Sequence, residues 1–375
     1  MGKYVMKRDE IEAFLIGLVI SGTGGGGESE WGRVIMENDF NLGRSYEFVD
    51  PEDIADDALV CSGGIMGSVK SLEGISYPDI TAEWEKDFPL VNAVRMMEKI
   101  QGRKVDYMLP FEVGALNTPV IMAACARLGI PMINGDAVGR SAPETQMTSL
   151  IGNGVELYPM PIVDRAGNAS IVMQSDSPTY ADEVGRMIVI KGGNLAANSH
   201  YPMSGRQLKD FCIPHTVTGS IALGQAVLAA QMAKGDGVEA VRKVVGGKLA
   251  HIGKITEIVG EDKGGFYLTN VAIQGVGEFA DRKAQLVIKN ETMALFIDGA
   301  VKCIFPDIAL MLNPATGEGY TSVQLKEGID LAIVLTPCHE RLERCMQDPI
   351  GKVALGAARF GHPELPYQPL RELAD

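Results

Sequence analysis

Hydrophobic and polar positions along this chain fall into two textures. The first half alternates helical and strand-like segments, and beyond about residue 163 short alternating strands take over. Ile11, Phe14, Leu15 and Leu18 recur at helical spacing and predict an amphipathic helix over Lys7–Ile20. Tyr46–Val49 and Ala58–Cys61 are short apolar runs suited to strands. The second run opens into Ser62-Gly63-Gly64-Ile65-Met66-Gly67-Ser68, read as a Gly-rich loop at a strand end. Phe88–Ile100 is the next helix, with Pro89 early in it and Gly102 behind it. Val105–Leu109 is a buried strand, followed by a helix with Asn117 or Thr118 as N-cap and Pro119 at its first position. Val120, Ile121, Ala124 and Leu128 form that helix's stripe, Gly129 closes it, and Ile130–Ile133 is a further strand. Two successive βαβ units predict a parallel sheet with helices on its faces. Ligands of such sheets bind where strands end, so the loops carrying Cys61, Glu112 and Asp136 should share one edge.

Past Pro161 the strands expected are Ser170–Gln174 and Arg186–Ile190, with Lys191-Gly192-Gly193 leading into a polar loop at Asn198-Ser199-His200. Thr218–Lys234 and Gly237–Val245 read as helices. Lys248–Ile258, Gly265–Gln274, Ala284–Lys289, Thr292–Asp298, Val301–Ile304 and Ile329–Leu335 read as strands, with Asp298-Gly299 as a hairpin turn. The expected architecture is α/β: residues 1–163 form an α/β domain with a parallel sheet, and residues 164–375 form a β-rich α+β domain. The proline-containing tail Gly351–Pro369 should return to the core.

A length of 375 residues agrees with two cores rather than one. The net charge of −14 argues against nucleic acid and anionic membrane surfaces as partners. No apolar run approaches the ~20 residues that span a bilayer. Six cysteines without a CxxC pair fit reduced thiols, hence a cytoplasmic protein. The 18 methionines and the abundant alanines hint at apolar interfaces and a homo-oligomer.

Candidate chemistry sits in the loops. Thr23-Gly24-Gly25-Gly26-Gly27 is either a backbone that approaches a ligand closely or a flexible connection. It fits neither a Walker nor a dinucleotide fingerprint, since no strand precedes it and no Lys-Ser/Thr follows. Glu112 and Asp136, at strand ends, have the right chemistry for a general base or for recognising ring N–H groups. Arg140 suits a substrate carboxylate or developing negative charge, and Glu144 is its natural salt-bridge partner. Ser62, Gly63, Met66, Gly67, Asn117 and Asn134 share these loops and are candidate binding residues together with Gly24, Gly25 and Gly26. Cys212-x-x-His215, with His200 nearby, could hold zinc with Asp136 or Glu112 completing the set, although Cys212 between Phe211 and Ile213 also reads as a buried thiol.

Several motifs occur together: Thr23 to Gly27, Met66-Gly67, Glu112-Val113-Gly114 with Asn117, and Asp136-x-x-Gly139-Arg140-x-x-Pro143-Glu144-x-x-Met147. Gly253-Lys254-Ile255-Thr256, Gly264-Gly265-Phe266, Lys289-Asn290-Glu291, Pro306-Asp307-Ile308, Thr316-Gly317-Glu318 and Phe360-Gly361 follow. In this order, over nearly the whole chain, they resemble the DUF917 family, also called the S-methyl thiohydantoin desulfurase family. The resemblance implies an enzyme of the hydrolase or desulfurase class that removes sulfur from a 2-thiohydantoin or its S-methyl form. Its substrate would be a small heterocycle held between the two domains. Family members are often encoded beside hydantoinase-type enzymes, which implies such a partner and, as the other reading, a non-catalytic or ligand-binding subunit. The sequence departs from the family pattern at Ala115, at Asn134, in Met66-Gly67-Ser68-Val69 and in Pro214-His215-Thr216.

Overall fold

The computed structural model describes residues 2–67, 76–263 and 266–372. Ser68 and Val69 of the strand-end loop, and Gly264-Gly265 of the family motif, lie outside the described residues. Strands in chain order are β1 (Lys3–Val5), β2 (Glu47–Val49), β3 (Leu59–Met66), β4 (Tyr107–Pro110), β5 (Met132–Ile133), β6 (Gly135–Asp136), β7 (Met160–Asp164), β8 (Ala169–Val172) and β9 (Ala196–Ser204). They continue as β10 (Ile213–Pro214), β11 (Lys248–Lys263), β12 (Phe266–Gly275), β13 (Lys283–Lys289), β14 (Glu291–Ile297), β15 (Ala300–Ile304), β16 (Ile308–Leu312) and β17 (Asp330–Thr336). The helices that position the site are α1 (Ile11–Ser21), α2 (Ser29–Asn41), α3 (Tyr77–Lys86), α4 (Pro89–Gln101), α5 (Asn117–Leu128) and α6 (Tyr180–Lys191).

The first sheet runs β1-β2-β5-β4-β3-β9-β7-β8. Its centre, β2 to β3, is parallel, as the βαβ reading requires, and β1, β9, β7 and β8 complete it in antiparallel fashion. Strands as late as Ser204 therefore belong to this sheet, which crosses the 163/164 division. The second sheet, β15-β14-β13-β12-β11-β17-β16, is antiparallel throughout and forms a half-barrel around Val271, Leu286, Leu295 and Ile333. The β14–β15 hairpin turns at Asp298-Gly299, both with positive φ, as a two-residue primed turn demands. Helix α1 lies so close to helix Thr216–Met232 that a Cβ on Gly17 would sit 1.8 Å from the Ser220 carbonyl oxygen, and one on Gly224 would sit 1.7 Å from that of Ala13. The small residues of both helices make this approach possible.

Three local expectations are corrected. Arg186–Ile190 is not a strand but part of α6, whose buried Ala181, Gly185 and Val189 follow helical spacing, while exposed Met187 and Ile190 imitate a strand's apolar run. Asn198-Ser199-His200 is not a loop; it lies in β9, paired with Ser62–Gly64 of β3 and buried on both faces. The strand at Cys61 does not open into a loop either, because its pairing with β9 continues through Met66. Gly63 permits that contact, since a Cβ there would come within 2.5 Å of the Asn198 carbonyl oxygen. Among the described residues no helix is long and apolar enough to cross a membrane.

Candidate active site

The carboxyl ends of β3 and β4 and the turn between β13 and β14 enclose one cleft. Glu112 follows β4 and is 3 % exposed. The Ala142 amide donates to its Oε2 at 2.7 Å, and Asn117 Nδ2, from the first residue of α5, donates to its Oε1 at 2.7 Å. Burial outweighs these two bonds and, with Asp136 adding to it, pushes the Glu112 carboxyl up to about 7. Glu291 enters from the other sheet. Only Asn290 separates the paired Lys289 and Glu291, and it takes φ +59°, held by Tyr267, whose amide donates to Asn290 Oδ1 at 2.7 Å. This tight turn aims Asn290 and Glu291 into the cleft. Glu291 is buried, and its Oε2 has no hydrogen-bond partner. Burial first, and the Glu112 charge second, raise its carboxyl well above the usual carboxylate range.

The glycine tract joins the two halves. Thr292 N donates to Thr23 O at 2.9 Å and Ser322 N to Gly24 O at 2.8 Å, while Leu116 N donates to Gly26 O at 2.8 Å. A Cβ on Gly25 would lie 1.8 Å from Glu291 Oε1, and one on Gly26 would lie 2.5 Å from Gly114 Cα. Close approach is thus what the glycines provide, and the partner they approach is the protein itself.

His200 faces the cleft from β9, with its ring set edge-on to Phe111 and Tyr201 at 5.8 and 5.2 Å. A bulge opposite Cys61, where Tyr201 takes φ +48°, interrupts the β3–β9 register beside it. Burial drives the imidazole down to about 3, so it is neutral, and its Nδ1 has no partner. Asn198, two residues earlier on the same strand, leaves its buried Oδ1 without a partner as well. Glu144 also lines the cleft, but its ion-pair partners are Lys289 at 2.5 Å and Arg359 of the C-terminal segment, not Arg140, and Gln146 Nε2 donates to its Oε2 at 2.9 Å. Burial alone would raise the Glu144 carboxyl; Arg359 and Lys289 reverse that and hold it ionised below its usual range.

Of the residues expected at the site, Gly26, Met66, Gly67, Glu112, Asn117, Glu144 and His200 meet in this cleft. The others serve the scaffold around it. Gly24 packs behind the cleft on Met311, and Gly25 on Glu291, while Ser62 and Gly63 are held in the β3–β9 ladder. Asn134 Nδ2 donates to Asp50 at 2.7 Å and to Thr218 Oγ1 at 3.0 Å. Asp136 Oδ2 accepts from the Val138 and Gly139 amides at 2.9 and 2.7 Å and closes its own turn, and burial raises this carboxyl to about 7. Arg140 is fully buried and donates to the carbonyls of Ser141, Asp307 and Thr292 and to Thr23 Oγ1 at 2.5–3.0 Å, outside the residues that line the cleft. The zinc set is not assembled. Cys212 is buried with Arg341 donating to its carbonyl, whereas His215 is half exposed between Asp50 and Glu52. Among the described residues no group of three or more His, Cys, Asp or Glu could hold a metal ion. Glu291, Asn290, Asn198 and Arg186 are among the cleft-lining residues that were not expected at the site. The only sequence signal for the first two is the Lys289-Asn290-Glu291 motif.

Fold and cleft together define a two-domain α/β protein whose enclosed site is lined by carboxyl groups from both halves. The chain belongs to the S-Me-THD-like family: that family's N-terminal domain matches residues 9–174 and its C-terminal domain residues 175–370. A crystal structure of a protein from Chromobacterium violaceum has a similar fold, with a TM-score of 0.75 and 21 % sequence identity over 98 % of this chain and 100 % of that one. No curated protein matches.

Proposed function

We propose that this protein is a hydrolase that removes the sulfur substituent from C2 of a 2-thiohydantoin or S-methyl-2-thiohydantoin, leaving a hydantoin. The observation that carries the reading is the pair of buried carboxyls in one cleft, Glu112 raised to about 7 and Glu291, with an unpartnered Oε2, raised well above the ordinary carboxylate range. Two carboxyls with separated proton affinities supply a base and an acid together.

For the S-methyl form, water adds to C2 while Glu112 takes one of its protons and Glu291 gives its own to the ring nitrogen of the C2=N bond. Glu112 then passes its proton to sulfur as the C2–S bond breaks and methanethiol leaves. The remaining hydroxyl proton returns to Glu291 as the C2=O bond forms, so both carboxyls recover their starting states. Asn198 Oδ1 and Nδ1 of the neutral His200 imidazole, both unpartnered, offer hydrogen bonds to the ring's N–H and C=O edges.

The test is incubation with S-methyl-2-thiohydantoins while a thiol reagent follows methanethiol release. Release that disappears in Glu291→Gln and in Glu112→Gln supports the reading. Hydantoin binding without any thiol release would replace it with the reading of a ligand-binding subunit.

A further inference from the structure

The first two residues of α5 hold Glu112 at its backbone and at its side chain. Thr118 Oγ1 donates to the Glu112 carbonyl oxygen at 3.3 Å, and Asn117 Nδ2 donates to Oε1 at 2.7 Å. The Asn117 amide is fixed in orientation. Its Oδ1 accepts from the Ile65 N–H at 3.3 Å, and a backbone N–H can only donate. The oxygen must therefore face Ile65, which leaves the NH2 to face Glu112. Ile65 is held in turn, since it stands opposite Ala197 in the β3–β9 ladder. The Asn117 backbone N–H donates to Gly26 O at 3.3 Å, so the glycine tract grips the same residue. Asn117 lines the cleft, yet both polar atoms of its side chain are engaged within the protein.

Resting on the role of Glu112 in the proposed reaction, we infer that Asn117 is a positioning residue for that base and not a substrate contact. It pins Oε1 and ties the base to the end of β3. Among the described residues the other donor to the carboxyl is the Ala142 backbone amide, which no side-chain substitution removes. Because Asn117 donates, it favours the ionised carboxylate and opposes the upward push of burial. Asp136, Arg140 and Glu291 also act on the charge of Glu112, and Glu28, Glu144, Asp182, Arg186 and His200 share the cleft lining. Replacing Asn117 by a neutral residue alters none of these groups.

The test follows the carboxyl carbons of protein labelled with δ-13C-glutamate by NMR as pH is raised. This label leaves out Asp136, and the Glu112 resonance is the one missing from Glu112→Gln. Asn117→Ala removes the donor, Asn117→Leu removes it while keeping bulk at the site, and melting curves check that both are folded. Losing a hydrogen bond to an ionised group should move the Glu112 midpoint up by about 1–2 pH units in both variants. Thiol release at pH 7 should then fall about 5- to 50-fold through kcat, with the ascending limb displaced upward by the same interval. An unmoved Glu112 midpoint would overturn the inference, as would a raised KM with the limb in place, the mark of a substrate contact. The NMR measurement keeps this separate from the proposed reaction. A midpoint that climbs in both variants supports the positioning of Glu112 even if no thiol is released, and an unmoved one refutes it even if thiol is.

Discussion

Replacing Gly25 by alanine tests the coupling between the glycine tract and the site. Gly25 has no positive φ, so its backbone accepts an alanine; the obstacle is Glu291. The added Cβ would lie 1.8 Å from Oε1, 2.4 Å from Cδ and 2.7 Å from Cγ of that side chain. Contacts this short force Glu291 off its position, and overpacking of this kind costs about 1–3 kcal/mol. Glu291→Ala alone removes the obstructing atoms and a buried carboxyl with an unpartnered oxygen. In the double variant the alanine at 25 has room. The Gly25→Ala penalty should shrink by at least about 1 kcal/mol relative to its value beside Glu291, a coupling typical of residues in direct contact. Urea unfolding of the four proteins, followed by far-ultraviolet circular dichroism, measures it. Methanethiol release should fall in Gly25→Ala nearly as far as in Glu291→Ala. Strictly additive stabilities, or a Gly25→Ala protein with wild-type stability, would refute the reasoning.

Four other outcomes are expected. With Glu112 near 7 as the base, kcat/KM should climb through an ascending limb around that pH, and a profile flat from pH 5 to 9 would remove Glu112 from that role. The Glu291 carboxyl holds its proton more tightly in the folded state than in the unfolded chain, so folding stability should fall as pH rises above the ordinary Glu range of ~4.3. In urea melts between pH 5 and 8.5, Glu291→Gln should flatten that decline and be the more stable protein at the alkaline end. Arg140→Ala should cost at least about 3 kcal/mol, because three buried carbonyls and Thr23 lose their donor, yet should leave KM unchanged in the folded fraction; a raised KM with wild-type stability would restore Arg140 as a substrate contact. Asp136→Asn should keep near-wild-type turnover, since asparagine can still accept from the Val138 and Gly139 amides, and steady-state kinetics would expose any base role as a loss of roughly 10²-fold or more.

Local periodicity was enough to locate the parallel centre of the first sheet, because each strand and helix there is a continuous apolar stretch with its own caps. Pro119 at the start of α5 and Gly129 at its end, with φ +70°, are examples. The alternation of β13 to β15 likewise revealed the second sheet, and Asp298-Gly299 its turn. Glu112 was legible for a general reason: polar residues after parallel strands face the ligand edge. Asp136 and Arg140 sit at equally suggestive positions, and nothing local distinguishes a carboxylate that closes its own turn from one that meets a substrate. The difference lies in which groups from distant segments are within reach. Arg140 finds Thr292 and Asp307 across the domain boundary, Glu144 finds Lys289 and Arg359, and Glu291 reaches the first domain only because a one-residue turn at Asn290 directs it there. His200 reads as part of a polar loop until β9 pairs with β3, which buries it and takes away its charge. Sequence by itself determined most of the elements, the family and the two carboxyls, Glu112 and Glu144, that line the cleft, because those depend on neighbours along the chain. Tertiary structure decided which charges are paired, which are buried alone and which carboxyls hold their protons more tightly, because desolvation and pairing depend on groups 100 or more residues apart.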